Sequence, residues 1–194
     1  MTTITLKTII EGLLMAAEEP LAVDDIFNVL EANNGGFSVK EIRDALSELS
    51  ADYQERGIVL KEVASGYRFQ VRQDLSDWVS KLNAERPLRY SRALLETLAL
   101  VAYRQPITRA EIEDVRGVAV GSNIIKTLLE HEWVRIIGHK DVPGKPALFA
   151  TTRKFLDHFN LKGLEELPSL IEFTEVATVQ ENILVTDLAS DAAT

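Results

Sequence analysis

The chain of 194 residues has no cysteine. That excludes a disulfide framework, thiolate catalysis and thiolate-ligated zinc or iron–sulfur centres. No apolar run approaches the ~18 residues needed to cross a membrane as a helix. The opening, Met1-Thr2-Thr3-Ile4-Thr5-Leu6-Lys7, has no basic segment feeding an apolar stretch, so no secretory signal is expected. Histidine is scarce, at three residues: His131, His139 and His158. None has the His-Glu-x-x-His spacing, and His139-Lys140-Asp141 offers two ligands without a third, so no metal and no cofactor are expected. No Gly-x-Gly-x-x-Gly and no Gly-x-Ser-x-Gly occur. The run from Gly138 to Pro146 fails as a phosphate loop. Its glycines are one residue too far apart, Pro146 stands where a hydroxyl must meet magnesium, and no helix follows. Asp24-Asp25 and Glu165-Glu166 are adjacent acids of the sort found at helix starts and solvated faces. No enzyme is expected.

The remaining composition is that of a folded soluble domain: 46 % hydrophobic and 26 % charged residues. A cytoplasmic protein of one ordinary domain or two small ones is expected. The net charge of −9 is unevenly placed. Residues 1–85 carry 8 Lys/Arg against 15 Asp/Glu, residues 86–162 carry 13 against 8, and residues 163–194 carry none against 7. Blocks of net −7, +5 and −7 suggest modules with different partners, although sign blocks of this size also arise by chance.

The apolar pattern reads as one unit used twice. Ile9, Ile10, Leu13, Leu14 and Ala17 recur at helical spacing, and Glu19-Pro20-Leu21 interrupts them. A short helix follows with Ile26, Val29 and Leu30 on one face. Ser38 and Glu41 form a capping box ahead of a helix striped by Val39, Ile42, Leu46, Leu49 and Tyr53. Gly57 ends it, and the period changes to that of a hairpin, 58–63 and 67–71, around Ala64-Ser65-Gly66. The second half repeats the order. Ser91 caps a helix apolar nearly all round (Leu94, Leu95, Leu98, Leu100, Val101), and Gln105-Pro106-Ile107 interrupts it. Thr108 and Glu111 form a second capping box, before a short helix with Ile112 and Val115 on its inner face. Ile124, Ile125, Leu128 and Leu129 line a third helix, and a hairpin follows with Val142-Pro143-Gly144-Lys145-Pro146 at its tip. Pro20-Leu21, Ile26 and Val29 match Pro106-Ile107, Ile112 and Val115 at a constant offset of 86. Thr152 caps a last helix, with Phe155, Leu156 and Phe159 spaced to pack on the second half.

Three helices followed by a hairpin is the plan of a winged helix-turn-helix. The expected fold is α+β, mainly α. Two such domains occupy 1–82 and 91–162, joined by a linker at 83–90 and followed by an acidic tail, 163–194, mobile beyond about Phe173. Sequence-specific DNA reading fits poorly. The first third helix sets Lys40, Arg43 and Arg56 against Glu41, Asp44, Glu48, Asp52 and Glu55, a face that repels phosphates. The second is nearly neutral. Lys140, Lys145 and the arginines around the linker allow weak backbone contact at most. A DNA-binding transcription regulator is the alternative reading. The favoured one is a module that grips other proteins.

Several runs resemble the bacterial segregation and condensation protein B family, over about residues 4–170. They are Arg86-Pro87-Leu88, Leu95-Glu96-Thr97-Leu98-Ala99, Ala102-Tyr103-Arg104-Gln105-Pro106-Ile107-Thr108-Arg109-Ala110-Glu111-Ile112, Arg116-Gly117-Val118, Thr127-Leu128-Leu129-Glu130, Val142-Pro143-Gly144-Lys145-Pro146, Thr151-Thr152 with Phe155-Leu156, and Leu164-Glu165-Glu166-Leu167-Pro168. The first half matches more loosely, through Ile10-Glu11-Gly12-Leu13-Leu14 and Glu19-Pro20-Leu21. Trp133, His139, Ala150 and Asn160 depart from the usual pattern. The resemblance implies a non-catalytic accessory subunit of the structural-maintenance-of-chromosomes (condensin) complex, acting in chromosome condensation and segregation beside the nucleoid. It implies a homodimer formed by the first domain, and a second domain that binds the kleisin subunit, segregation and condensation protein A. The ATPase is reached through the kleisin. The basic second domain suits an acidic partner segment, with Arg86, Arg89, Tyr90, Arg104, Arg109, Arg116 and Lys145 as candidate contacts. The competing reading is that exposed arginines keep the domain soluble, and that Arg109 and Arg116 pair along their own helix with Glu111, Glu113 and Asp114.

Overall fold

Hydrogen bonds from side chains to free backbone N–H groups set where the helices begin. The computed structural model describes residues 4–33, 35–82 and 90–169. Thr5, Ser38, Ser91, Thr108 and Thr152 each accept from the N–H three residues on, and so open five helices. The first half holds α1 (Leu6–Ala16), α2 (Val23–Ala32), α3 (Val39–Asp52), β1 (Ile58–Val63) and β2 (Gly66–Val71). A 3-10 turn at Gln73–Leu75 and the short helix α4 (Ser76–Ser80) follow, neither foreseen from the sequence. The second half holds α5 (Arg92–Arg104), β3 (Ile107–Thr108), α6 (Arg109–Arg116), α7 (Ser122–Glu130), β4 (Val134–His139), β5 (Ala147–Thr151) and α8 (Arg153–His158). Both halves keep the winged-helix order, and residues up to Lys162 form one compact unit. The few described residues after it, Gly163 to Ser169, contain one 3-10 turn, Leu164–Glu166. The expected linker, apart from Tyr90, and the expected mobile tail beyond Phe173 lie outside the described residues.

The core of the first half is Ile10, Leu14, Ile26, Leu30, Ile42, Leu46 and Leu49, closed by Tyr53 and Leu60. The α3 stripe is therefore core, apart from Val39, which is exposed. The second half buries Leu98, Val101, Ile112, Val120, Leu128 and Trp133. Val29 and Val115 differ from expectation: both are exposed, at 42 % and 45 %. Each sits one helical step beyond a fully buried isoleucine, Ile26 or Ile112, on a helix too short to bury more than a narrow stripe.

The Pro20 and Pro106 breaks do more than end helices. Ile107 and Thr108 pair with Phe149 and Leu148 as an extra strand, in the order β3-β5-β4. The first half keeps a single antiparallel bridge at the same place: Leu21 and Tyr67 exchange N–H···O bonds of 2.9 and 2.8 Å. The offset of 86 holds at Leu21/Ile107 and falls to 82 at their partners, Tyr67 and Phe149.

Candidate partner-binding surface

Of the seven residues singled out, Arg86 and Arg89 lie outside the described residues. Arg109 and Arg116 serve the second half's own framework. Arg109 Nε pairs with Glu113 Oε1 at 3.0 Å, and Nη2 donates to the Val120 carbonyl. Glu113 Oε1 in turn accepts from the Val120 N–H at 2.8 Å. Together they fasten the α6–α7 connection. Glu113 has its pKa lowered, first by the Val120 N–H and then by Arg109. The Arg116 side chain is only 9 % exposed, and it reaches Glu96 Oε2 on α5 at 3.1 Å, not the acids of its own helix. Its Nε is buried without a partner. The along-helix pairing expected for these two therefore holds at Arg109 and not at Arg116.

Three candidates are placed differently. Arg104 at the end of α5 and Lys145 at the tip of the second hairpin are both exposed. Gly144 (φ +86) and Lys145 (φ +38) form that tip, tied by Lys145 N–H to the Val142 carbonyl at 2.9 Å. Tyr90 is half-buried and packs its edge on His131 and Trp133, at centroid distances of 5.6 and 5.0 Å. The five described residues do not converge. Two brace α6, two project from an end and a tip, and Tyr90 lies at the junction of the halves.

That junction contains a cleft of about 600 Å³, lined by Glu19, Ser65, Arg68, Tyr90, Trp133 and Asp157 among others. His131 stacks on Trp133 at 4.8 Å, and His158 lies 4.5 Å from the same ring. The pKa of His158 is pushed down, first by burial and then by the positive charge of Arg68 and by His131. The sequence reading missed Ser65, Arg68, Asp157 and Asn160, which join the halves here. Their partners lie 89 to 92 residues away, and no local pattern marks them.

The face of α3 stays acidic in the fold. Lys7 answers Asp52 at 2.9 Å and Glu48 at 3.4 Å, while Asp44 on the helix and Glu55 just beyond its end remain exposed. Among the described residues no three His, Asp or Glu are grouped to hold a metal ion. Among them, too, no helix is long and apolar enough to cross a membrane.

Comparison with known proteins supplies the remaining observations. The family described as Segregation and condensation complex subunit ScpB matches residues 8–170. A segregation and condensation protein B homolog of Coxiella burnetii is 56 % identical over 174 residues, spanning 90 % of this chain and 83 % of that protein. The segregation and condensation protein B of Syntrophotalea carbinolica is 44 % identical over 186 residues, spanning 95 % and 91 %. A solved dimer of an ScpB N-terminal domain complexed with ScpA peptide is 31 % identical, covering 42 % of this chain and 94 % of that one, with a TM-score of 0.36.

Proposed function

The chain belongs to the ScpB family of segregation and condensation complex subunits, and on that premise we propose that it is a non-catalytic accessory subunit of a bacterial structural-maintenance-of-chromosomes complex. In this reading the first domain, 1–82, forms a homodimer. The second, 91–162 beyond a linker at 83–90, binds the middle region of the kleisin. The protein works in the cytoplasm beside the nucleoid. It organises the kleisin and bears on the partner ATPase only through it. The observation that carries the reading is the family match across both winged-helix halves, residues 8–170. The charge pattern supports it: an acidic α3 face suits protein contact better than phosphate contact, and the basic second half suits an acidic segment.

Within the seven candidates, the geometry favours Arg104 and Lys145, with Tyr90, as direct contacts. Arg109 and Arg116 already turn donors inward, Arg109 to Glu113 and the Val120 carbonyl and Arg116 to Glu96. Light scattering on a size-exclusion column, with and without the kleisin-like protein of the same genome, tests the reading. A dimer that shifts to a larger stable species is expected. Charge reversal at Arg104 and Lys145 should weaken that species and leave the melting temperature alone, whereas Arg116→Ala should lower the melting temperature. A monomer indifferent to the kleisin, with DNA affinity that is sequence-selective and falls steeply with salt, would replace this reading with a transcription regulator.

A further inference from the structure

Each half contains one hairpin, and the surroundings of the two are opposite. The second is open: Val142, Pro143, Gly144 and Lys145 are exposed, and a Cβ added at Gly144 would meet nothing within 4 Å. The first is enclosed on both sides. On one side Gly66, at φ +139, lies so near the Leu21–Ala22 backbone that an added Cβ would sit 2.2 Å from the Leu21 carbonyl oxygen. On the other side the turn meets the end of α8. The Ala64 N–H donates to the Leu161 carbonyl at 2.9 Å. The Ser65 N–H donates to Asp157 Oδ1 at 2.9 Å, and its hydroxyl donates to Oδ2 at 2.7 Å. Arg68 Nη2 donates to the Asp157 carbonyl at 2.7 Å and to Asn160 Oδ1 at 2.9 Å. Lys162 Nζ donates to Glu62 Oε2 at 2.5 Å. Asn160 holds φ +58, a conformation that asparagine and glycine accept most readily, and only asparagine adds an acceptor for Arg68.

We infer that the first hairpin is an internal docking element: it fixes the second half on the first through Asp157, and it is not a wing for nucleic acid. Both oxygens of one carboxylate are taken by a single residue, the N–H and the hydroxyl of Ser65, a bidentate arrangement that sets angle as well as distance. The backbone donors of Ala64 and Ser65 point into this contact, so none remains to meet a phosphate. The carboxylates of Glu62 and Asp157 beside them can only accept, and the nearby cations are engaged within the contact, Lys162 on Glu62 and Arg68 on the Asp157 carbonyl and Asn160. The direction in which the second half presents its open hairpin is therefore set by the first half's closed one. The inference does not depend on which partner the second half binds.

Because the chain has no cysteine, spin labels can be placed at Glu48→Cys on α3 and Lys126→Cys on α7 alone, both exposed and outside the contact. Labelled chain is diluted into excess unlabelled chain, so that a dimer carries one labelled copy. No partner is added, which separates this outcome from that of the kleisin experiment. The full-length protein should give one narrow distance distribution. Asp157→Ala should broaden it at least about twofold, and speed hydrogen exchange at the Ala64 and Ser65 amides by about tenfold or more. Arg68→Gln should act in the same direction to a smaller extent, and it decides the matter if Asp157→Ala does not fold. A distribution that is broad in the parent protein, or one equally narrow in parent and variants, would overturn the inference.

Discussion

Gln105 stands at the centre of the motif that carries the family resemblance, and its contacts are structural. Its Oε1 accepts from the Thr151 N–H at 2.8 Å, and its Nε2 reaches the Thr151 hydroxyl at 3.0 Å, pinning the end of α5 to β5. Beside it Ile107 is buried, and Thr108 caps α6. The run of Gln, Pro, Ile and Thr was legible as a signature because a framework needs those groups in that order. Glu111 makes the same corner of the fold sensitive to pH. It accepts from Lys140 Nζ at 2.6 Å and from the Thr108 N–H and hydroxyl at 2.8 Å each. Lys140 first, and then Thr108, pull its pKa down to about 2 from 4.5. The folded carboxyl thus binds its proton less tightly than the unfolded one. The stabilisation is complete above pH 4.5 and is lost as pH falls from there toward 2. Urea unfolding at pH 7 and pH 3 should show a smaller pH difference in Glu111→Gln than in the parent, and an identical difference would refute this role. Leu98, 3 % exposed on α5, gives a packing test. Leu98→Ala should cost about 2–5 kcal/mol in the same assay, and an unchanged midpoint would mean that α5 packs through another face.

Among the elements, the caps were the most readable feature, because a hydroxyl and a carboxylate three residues apart have few other uses ahead of an apolar stripe. The α2 start shows the limit. Ala22 occupies the place of Thr108, so only the return half remains, with Asp25 Oδ2 accepting from the Ala22 N–H at 3.1 Å. Strand β3 was invisible because two residues are too few for any period, and what makes them a strand is β5 lying alongside. Helix α4 and the turn before it carry little apolar signal, and Trp78 on α4 is 71 % exposed. Gly66 shows a requirement that the sequence reading took only as a turn. Its positive φ and its closeness to Leu21 leave no room for a side chain. Gly66→Ala should destabilise the protein by on the order of 3 kcal/mol, read as a lower urea midpoint. Gly144→Ala should cost less, since its φ is strained but the space around it is open. The reverse order would contradict the contrast between the two hairpins.

For the whole molecule, the repeat and the charge blocks were evident from the residues alone, and the way the halves meet was not. Element order follows from local chemistry. The contact of Ser65 and Arg68 with Asp157 and Asn160 follows from folded geometry that brings together residues 89 to 92 positions apart. Arg116 makes the same point on a smaller scale. Its neighbours Glu113 and Asp114 suggested local pairing, and the fold gave it to Glu96, twenty residues earlier. The aromatic group of Tyr90, His131, Trp133, His158 and Phe159 likewise gathers from three separate segments.

The unequal hairpins also determine where the chain can accept new sequence. Extra residues at Pro143–Gly144 would extend from an open tip, and the ladder between β4 and β5 would close beneath them. A peptide tag or fluorophore-binding segment grafted there should leave the melting temperature unchanged. The same graft between Ala64 and Ser65 would force apart the Leu21 backbone and the α8 end, and should give an insoluble or unstable product. The two loops hold equivalent places in the repeated element order. Their different neighbours leave only one of them free to vary in length.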